Sequence, residues 1–163
     1  MSQNQVNQLV LQWDHIWEKE EWIVPVSVAL NGLTAKEAAY KPVGGANSIW
    51  QTLNHMNYYN ERLVSRLTGS AFDKSASNNE ETFGPPGNPD DAESWQATVK
   101  HAHAIAKQLR AAIGALTDAD LSRPYGASST LGQELPLWIL HDAHHAGQIV
   151  LIRKLLGAWR SPS

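Results

Sequence analysis

The 163-residue sequence contains no cysteine. A chain without thiols forms no disulfide, binds no metal through thiolate and has no cysteine nucleophile. Any metal in this protein must therefore be bound by histidine nitrogen or by oxygen. The sequence also lacks a run of roughly 20 apolar residues, the length that a membrane-spanning helix needs. We therefore expect no membrane partner.

Basic charge is scarce as well. The chain has 13 Lys and Arg against 16 Asp and Glu, a net charge of −3, and the basic residues form no dense cluster. A polyanion would find no strong electrostatic attraction here, so we expect no nucleic-acid partner. The first 15 residues lack the basic start and the unbroken apolar core of a signal peptide, which favours a cytoplasmic location.

Helical periodicity is the main pattern in the sequence. The length suits one domain, which we predict to span residues 1–163. Apolar residues recur at spacings of three and four in four segments, predicted as helices over residues 3–30, 48–68, 91–116 and 135–156. Pro25 should kink the first helix, and Pro136 suits the first turn of the fourth. The polar stretch 70–90 matches the long crossover connection of some four-helix bundles. The sequence therefore predicts an all-α four-helix bundle with a crossover loop between helices two and three.

Tryptophan is abundant, with seven residues in the chain. Five of them fall inside the helical patterns and are predicted to fill the core, with the wall of a ligand cavity as the alternative: Trp13, Trp17, Trp50, Trp95 and Trp138.

Histidines are concentrated near the end of the chain, where three fall within residues 141–145. His141 and His145 are four residues apart, so on a helix they share a face and can chelate one cation. They continue the apolar stripe of Leu137 and Ile149, so we predict that they point into the core. A pair at this spacing also occurs on exposed helix faces without binding metal.

A third histidine strengthens the metal hypothesis. His55 lies near the middle of the second predicted helix, and it meets the pair across the core if helices two and four are neighbours. Three histidines with an open coordination position are typical of a catalytic metal site and not of a closed structural one. The alternative for His55 is a core histidine satisfied by a hydrogen bond.

These residues resemble the DinB/YfiT-like superfamily. The resemblance rests on the segment Ser-Ile-Trp-Gln-Thr-Leu-Asn at 48–54 leading into His55, and on the motif His-x-x-x-His-x-Gly-Gln at 141–148. It extends over nearly the whole chain. It implies a four-helix bundle, one divalent metal ion, Zn²⁺ or Ni²⁺, bound by His55, His141 and His145, and a homodimer.

Three further side chains are candidate helpers of the site. Tyr59 and Arg62 follow His55 by four and seven residues and extend its helix face, where they would suit an anionic or carbonyl substrate. Arg62 could instead form a salt bridge at the rim. Gln148 lies about one turn beyond His145 and could orient bound water, or make a packing contact between helices.

Two neighbours of the motif are predicted to stay outside the metal site. Asp142 is interpreted as a solvated carboxylate, with acceptance of a hydrogen bond from an imidazole on a neighbouring helix as the alternative. His144 points away from both ligands of its helix and is expected to face another helix or a subunit contact.

The donor set indicates the chemistry. A divalent ion held by three neutral ligands keeps its double charge and strongly acidifies a bound thiol or water. The sequence shows no buried carboxylate placed as a general base, such as the glutamate of His-Glu-x-x-His, which favours a thiol over a water nucleophile. With the resemblance, this predicts a thiol-dependent S-transferase that acts on a small molecule with a low-molecular-weight thiol. The alternatives are a YfiT-like metal-dependent hydrolase, a non-catalytic metal-binding protein of the damage-inducible kind, and a purely structural metal.

Overall fold

The structure is a computed structural model that describes residues 4–160, so the predicted helix start at residue 3 lies outside the described residues. Within this range the chain forms six α-helices and no β-strand: α1 Asn4–Trp17, α2 Val26–Leu30, α3 Ala35–Ala39, α4 Ile49–Thr68, α5 Ala92–Gly114 and α6 Leu131–Leu155. Two short 3₁₀ helices, Glu80–Thr82 and Asp118–Ser122, lie in the connections. The all-α prediction is confirmed.

The prediction of one continuous helix over residues 3–30 is wrong. Helix α1 ends at Trp17, and the chain becomes helical again only at Val26. Pro25 is the N-cap residue of α2, with φ −72° and ψ 160°, and so begins a helix where we expected a kink. Proline has no N–H to donate and disfavours helical geometry in the residue before it. Residues 18–23 are exposed and provide no apolar face that would hold a helix against the core.

Local capping sets the ends of the helices that carry the predicted ligands. Helix α4 begins with a capping box between Ser48 and Gln51 and ends at Gly69 with φ 74°. Helix α6 begins at Leu131, four residues before its predicted start. There the Gln133 side chain accepts a hydrogen bond from the backbone N–H of Thr130 at 3.0 Å. Pro136 therefore lies beyond the first turn, because this cap stabilises the earlier start at the cost of one backbone hydrogen bond.

The four long helices pack against one another in a closed arrangement. Helix α4 contacts α5 and α6, and α1 contacts the same two helices. Tryptophans fill much of the space between them, as predicted: Trp13, Trp17 and Trp95 are at most 1% exposed and Trp50 is 7% exposed. Trp138 is only partly buried. None of the described helices is both long enough and apolar enough to cross a membrane.

The connection between α4 and α5 folds back onto α4. The N-cap residue of α4 and two residues within the helix, at intervals of three, donate side-chain hydrogen bonds to carbonyls of the connection: Ser48 to Pro86 at 2.7 Å, Gln51 to Gly84 at 2.8 Å and Asn54 to Phe83 at 3.3 Å. The connection also reaches the imidazole of His55, because Thr82 lies within hydrogen-bond distance of its Nδ1 and Phe83 stacks on its ring.

Candidate metal centre

Three histidines from two helices converge on one point. Nε2 of His141 on α6 lies 3.0 Å from Nε2 of His55 on α4 and 3.1 Å from Nε2 of His145. Zn–N bonds are about 2.0–2.1 Å long, so two nitrogens on one ion lie roughly 3.0–3.4 Å apart. The spacing therefore fits a single ion. The structure brings together the three residues that the sequence predicted as ligands.

The outer nitrogens of two of these rings are held by hydrogen-bond acceptors. Nδ1 of His55 lies 2.7 Å from Oγ1 of Thr82, and that hydroxyl already donates to the carbonyl of Asn79 at 2.6 Å. Nδ1 of His145 lies 2.7 Å from the amide oxygen of Gln148. Both Nδ1 atoms must therefore carry the proton, and both Nε2 lone pairs point toward the cluster. This tautomer is the one that binds a metal through Nε2.

Both of these rings are also kept uncharged. Burial lowers the pKa of His55 to about 3, and repulsion from His145 and His141 adds to the effect. Burial likewise lowers the pKa of His145 to about 4, although its hydrogen bond to Gln148 acts in the opposite direction. The two rings are therefore neutral at pH 7, the form that a metal requires.

His141 has no satisfactory neutral tautomer without a cation. A proton on its Nε2 would satisfy the neighbouring lone pairs but would leave its Nδ1 lone pair 3.5 Å from Oδ1 of Asp142. A proton on its Nδ1 would place three Nε2 lone pairs against one another. A metal ion among the Nε2 atoms, or a second proton on the ring, removes both conflicts. The donor set and its surroundings therefore fit a divalent cation.

Asp142 corrects one sequence prediction. We expected a solvated carboxylate, but Asp142 is 0% exposed. Its Oδ2 accepts hydrogen bonds from Nε1 of Trp17 at 2.9 Å and from Nδ2 of Asn60 at 2.8 Å. It is buried because α1 and α4 both pack over that face of α6. His144, in contrast, is exposed.

The candidate helpers lie in different surroundings. The Tyr59 ring is 5.0 Å from that of His55, and its hydroxyl donates to the Asn79 side chain. Gln148 holds Nδ1 of His145, whereas Arg62 is exposed. The prediction that Leu137 belongs to the apolar stripe of α6 is also wrong, because Leu137 is 59% exposed.

Sequence reasoning missed two neighbours of the site and named a third, Trp138, only as a core residue or a cavity wall. Thr82 and Phe83 come from the connection after α4, and Phe83 stacks on His55 with ring centroids 4.0 Å apart. No periodicity in the sequence points to them. Trp138 lies 5.6 Å from the ring of His141. Its spacing of three residues before His141 could have identified it, since such residues share a helix face.

A cleft of about 360 Å³ opens beside His145. Its walls combine apolar and uncharged polar groups, and no Asp, Glu, Lys or Arg is among the described residues that line it: Gly45, Ala46, Asn47, Thr52, Phe83, His145, Gln148, Leu151 and Ile152. A small uncharged molecule could therefore reach the cluster from this side.

An all-α chain whose long helices direct three imidazoles at one point, next to an open cleft, fits the class of helical proteins with a candidate histidine metal site. The family model of the DinB superfamily matches residues 26–149, a range that includes all three histidines. The chain therefore belongs to the DinB superfamily. No curated protein matches it.

Proposed function

We propose that this protein is a divalent-metal-dependent transferase that joins a low-molecular-weight thiol to a small electrophilic substrate. The observation that carries the proposal is the donor set of three converging imidazoles beside an open cleft. A Zn²⁺ or Ni²⁺ ion with three uncharged ligands keeps its double charge and lowers the pKa of a bound thiol. In the transfer, sulfur bonds to the substrate carbon, the leaving group departs with its bonding electrons, and the thiol proton passes to solvent.

In this scheme the protein's own residues would bind the ion, orient the histidine rings and shield the cluster from water. His55, His141 and His145 would hold the ion, while Thr82 and Gln148 keep two of the rings in the binding tautomer. The aromatic rings of the site exclude water from one side of the cluster, and a drier surrounding strengthens its electrostatic interactions. The uncharged cleft beside His145 would receive the electrophile.

The surroundings of the cluster favour a thiol over a water nucleophile. Activation of water in a hydrolase is usually assisted by a general base that reaches the reacting groups. Asp142 is the carboxylate that lies against the cluster, but it is fully buried and its Oδ2 accepts two hydrogen bonds. It is therefore poorly placed to take a proton from a water molecule in the cleft. A thiol would need no such base, because a divalent ion held by the three histidines would supply the positive charge that favours loss of the thiol proton.

The test is thioether formation by metal-loaded protein. Native protein reconstituted with Zn²⁺ or Ni²⁺ is incubated with cysteine, glutathione or other cellular thiols and an aryl halide electrophile, and the thioether is measured by mass spectrometry. His145→Ala should abolish the enzymatic rate because it removes a ligand. His144→Ala is the matched control: it removes an adjacent but exposed histidine and should leave the rate unchanged.

Two results would count against the proposal. Metal-loaded native protein that forms no thioether above the uncatalysed rate with any thiol would overturn it. Metal-dependent hydrolysis of esters or amides by the same preparation, without thioether formation, would support the hydrolase alternative instead. The homodimer that the resemblance implies remains a separate proposal, tested by light scattering on the same protein.

A further inference from the structure

Asp142 is a buried carboxylate for which the proposed thiol transfer has no use. It is 0% exposed, and Trp17 from α1 and Asn60 from α4 both donate to its Oδ2. No Lys or Arg pairs with it among residues 4–160. A buried charge without a partner is costly, so this carboxylate calls for an interaction that offsets its loss of water.

The other oxygen of Asp142 points to that interaction. Oδ1 is buried and has no hydrogen-bond partner among the described residues, and the same is true of Nδ1 of His141. These two atoms lie 3.5 Å apart. A proton on Nδ1 and a small rotation of the ring would satisfy both atoms with one charge-assisted hydrogen bond. The same proton leaves the lone pair of His141 on Nε2, the atom that faces the other two histidines.

We propose that Asp142 is a positioning residue for the metal: it accepts the Nδ1–H of His141 and so selects the tautomer that binds the ion through Nε2. Each predicted ligand then has its own acceptor, the hydroxyl of Thr82 for His55, the amide of Gln148 for His145 and the carboxylate of Asp142 for His141. Trp17 and Asn60 hold the carboxylate through its other oxygen, Oδ2. The inference rests on the metal centre of the proposed function, but it does not depend on the thiol reaction.

The test compares metal affinities of the Asp142→Asn variant and the native protein. Asparagine has nearly the same shape, but its NH₂ group can face Nδ1 of His141 and favour the wrong tautomer. Loss of such an outer partner weakens metal binding by about 10- to 100-fold. We expect the Kd for Zn²⁺, measured by competition with a chromophoric chelator, to rise by that factor. The matched control is Asp14→Asn, which alters another buried aspartate, paired with Arg110 on α5, and should leave the Kd unchanged.

A double-mutant cycle and a spectroscopic measurement separate positioning from general stability. If Asp142 acts through His141, then Asp142→Asn should cause little further loss of affinity in the His141→Ala background. Nuclear magnetic resonance of the histidine rings in metal-loaded native protein should show a proton on Nδ1 of His141 that is shifted downfield, as a hydrogen bond to a carboxylate requires. If Asp142→Asn does not fold, an Nδ1 proton without that shift would count against the inference.

The outcomes distinguish this inference from the proposed function. A lowered melting temperature with an unchanged Kd in Asp142→Asn, or a His141 ring bound to metal with no proton on Nδ1, would overturn the inference. A native protein that binds the ion but transfers no thiol would overturn the proposed function only. The Kd ratio between Asp142→Asn and the native protein would still decide the role of Asp142.

Discussion

Metal binding should stabilise this protein by joining two helices that are far apart in sequence. His55 on α4 and His141 on α6 are separated by 86 residues, so the complete site exists only in the folded chain. A ligand that binds only the folded state stabilises it by RT ln(1 + [M]/Kd), about 2.7 kcal/mol when free metal is 100 times the Kd. For a chain of this size, 1 kcal/mol shifts the melting temperature by about 2–4 °C. We therefore expect Zn²⁺ to raise the melting temperature by about 5–11 °C at that concentration.

Replacing His55 should remove most of this gain. The variant His55→Ala keeps the pair on α6, but that pair is close in sequence and can also bind metal in the unfolded chain. If the Kd weakens by about 100-fold, the same free metal stabilises the variant by only about 0.4 kcal/mol, close to 1 °C. The variant also loses the hydrogen bond to Thr82 and the stacking on Phe83, which lowers its melting temperature without metal. The quantity to compare is therefore the shift caused by metal.

Thermal unfolding at buffered free Zn²⁺ concentrations measures this shift. Native protein and the exposed-histidine variant His144→Ala should show the same rise. Equal rises in native protein and His55→Ala would refute the reasoning, because the ion would then be stabilising the chain through some other site.

Three further predictions concern the protein around the site. Metal-free protein should lose stability as the pH falls from about 6.5 toward 4. In the unfolded chain His55 and His145 take up protons over this range, whereas in the folded protein their pKa values are about 3 and 4 and they stay neutral. Each ring contributes a loss of about 2 kcal/mol at pH 5, and urea unfolding that shows no decline over this range would contradict the assignment. Gly87→Ala should destabilise the connection after α4, since φ is +101° and a Cβ would lie 2.4 Å from Trp50. A loss of about 1–3 kcal/mol is expected in urea unfolding, and an unchanged midpoint would show that this close contact is absent. Arg153→Met should cost about 1.5–3 kcal/mol, because the buried guanidinium donates at 2.7 and 2.8 Å to carbonyls at the end of α2; a variant as stable as the native protein would disprove this role.

The sequence predicted the fold class because long amphipathic helices show a period that strands cannot imitate. The sequence predicted the helix boundaries wrongly at two places, where the apolar pattern and the local signals for a helix start disagreed. The apolar pattern continued past Trp17 toward Leu30, but the exposed residues between them had no neighbouring helix to pack against. Pro25 then served as the start of a helix instead of a kink within one. The cap at Thr130 similarly moved the start of α6 ahead of Pro136.

The candidate ligands were accessible from sequence, because helical geometry alone places His141 and His145 on one face. Two further features of the site depend on which helices are neighbours: the meeting of His55 with this pair, and the burial of Asp142 next to it. Burial of the carboxylate required α1 and α4 to pack together over α6, and the acceptor for His55 required a connection to fold back onto α4. Spacing along a chain determines contacts within one helix, whereas contacts between helices follow from how their apolar faces are buried together. The sequence by itself therefore determined the all-α class and the paired imidazoles, and the tertiary structure decided their third partner His55, its acceptor Thr82 and the burial of Asp142 beside them.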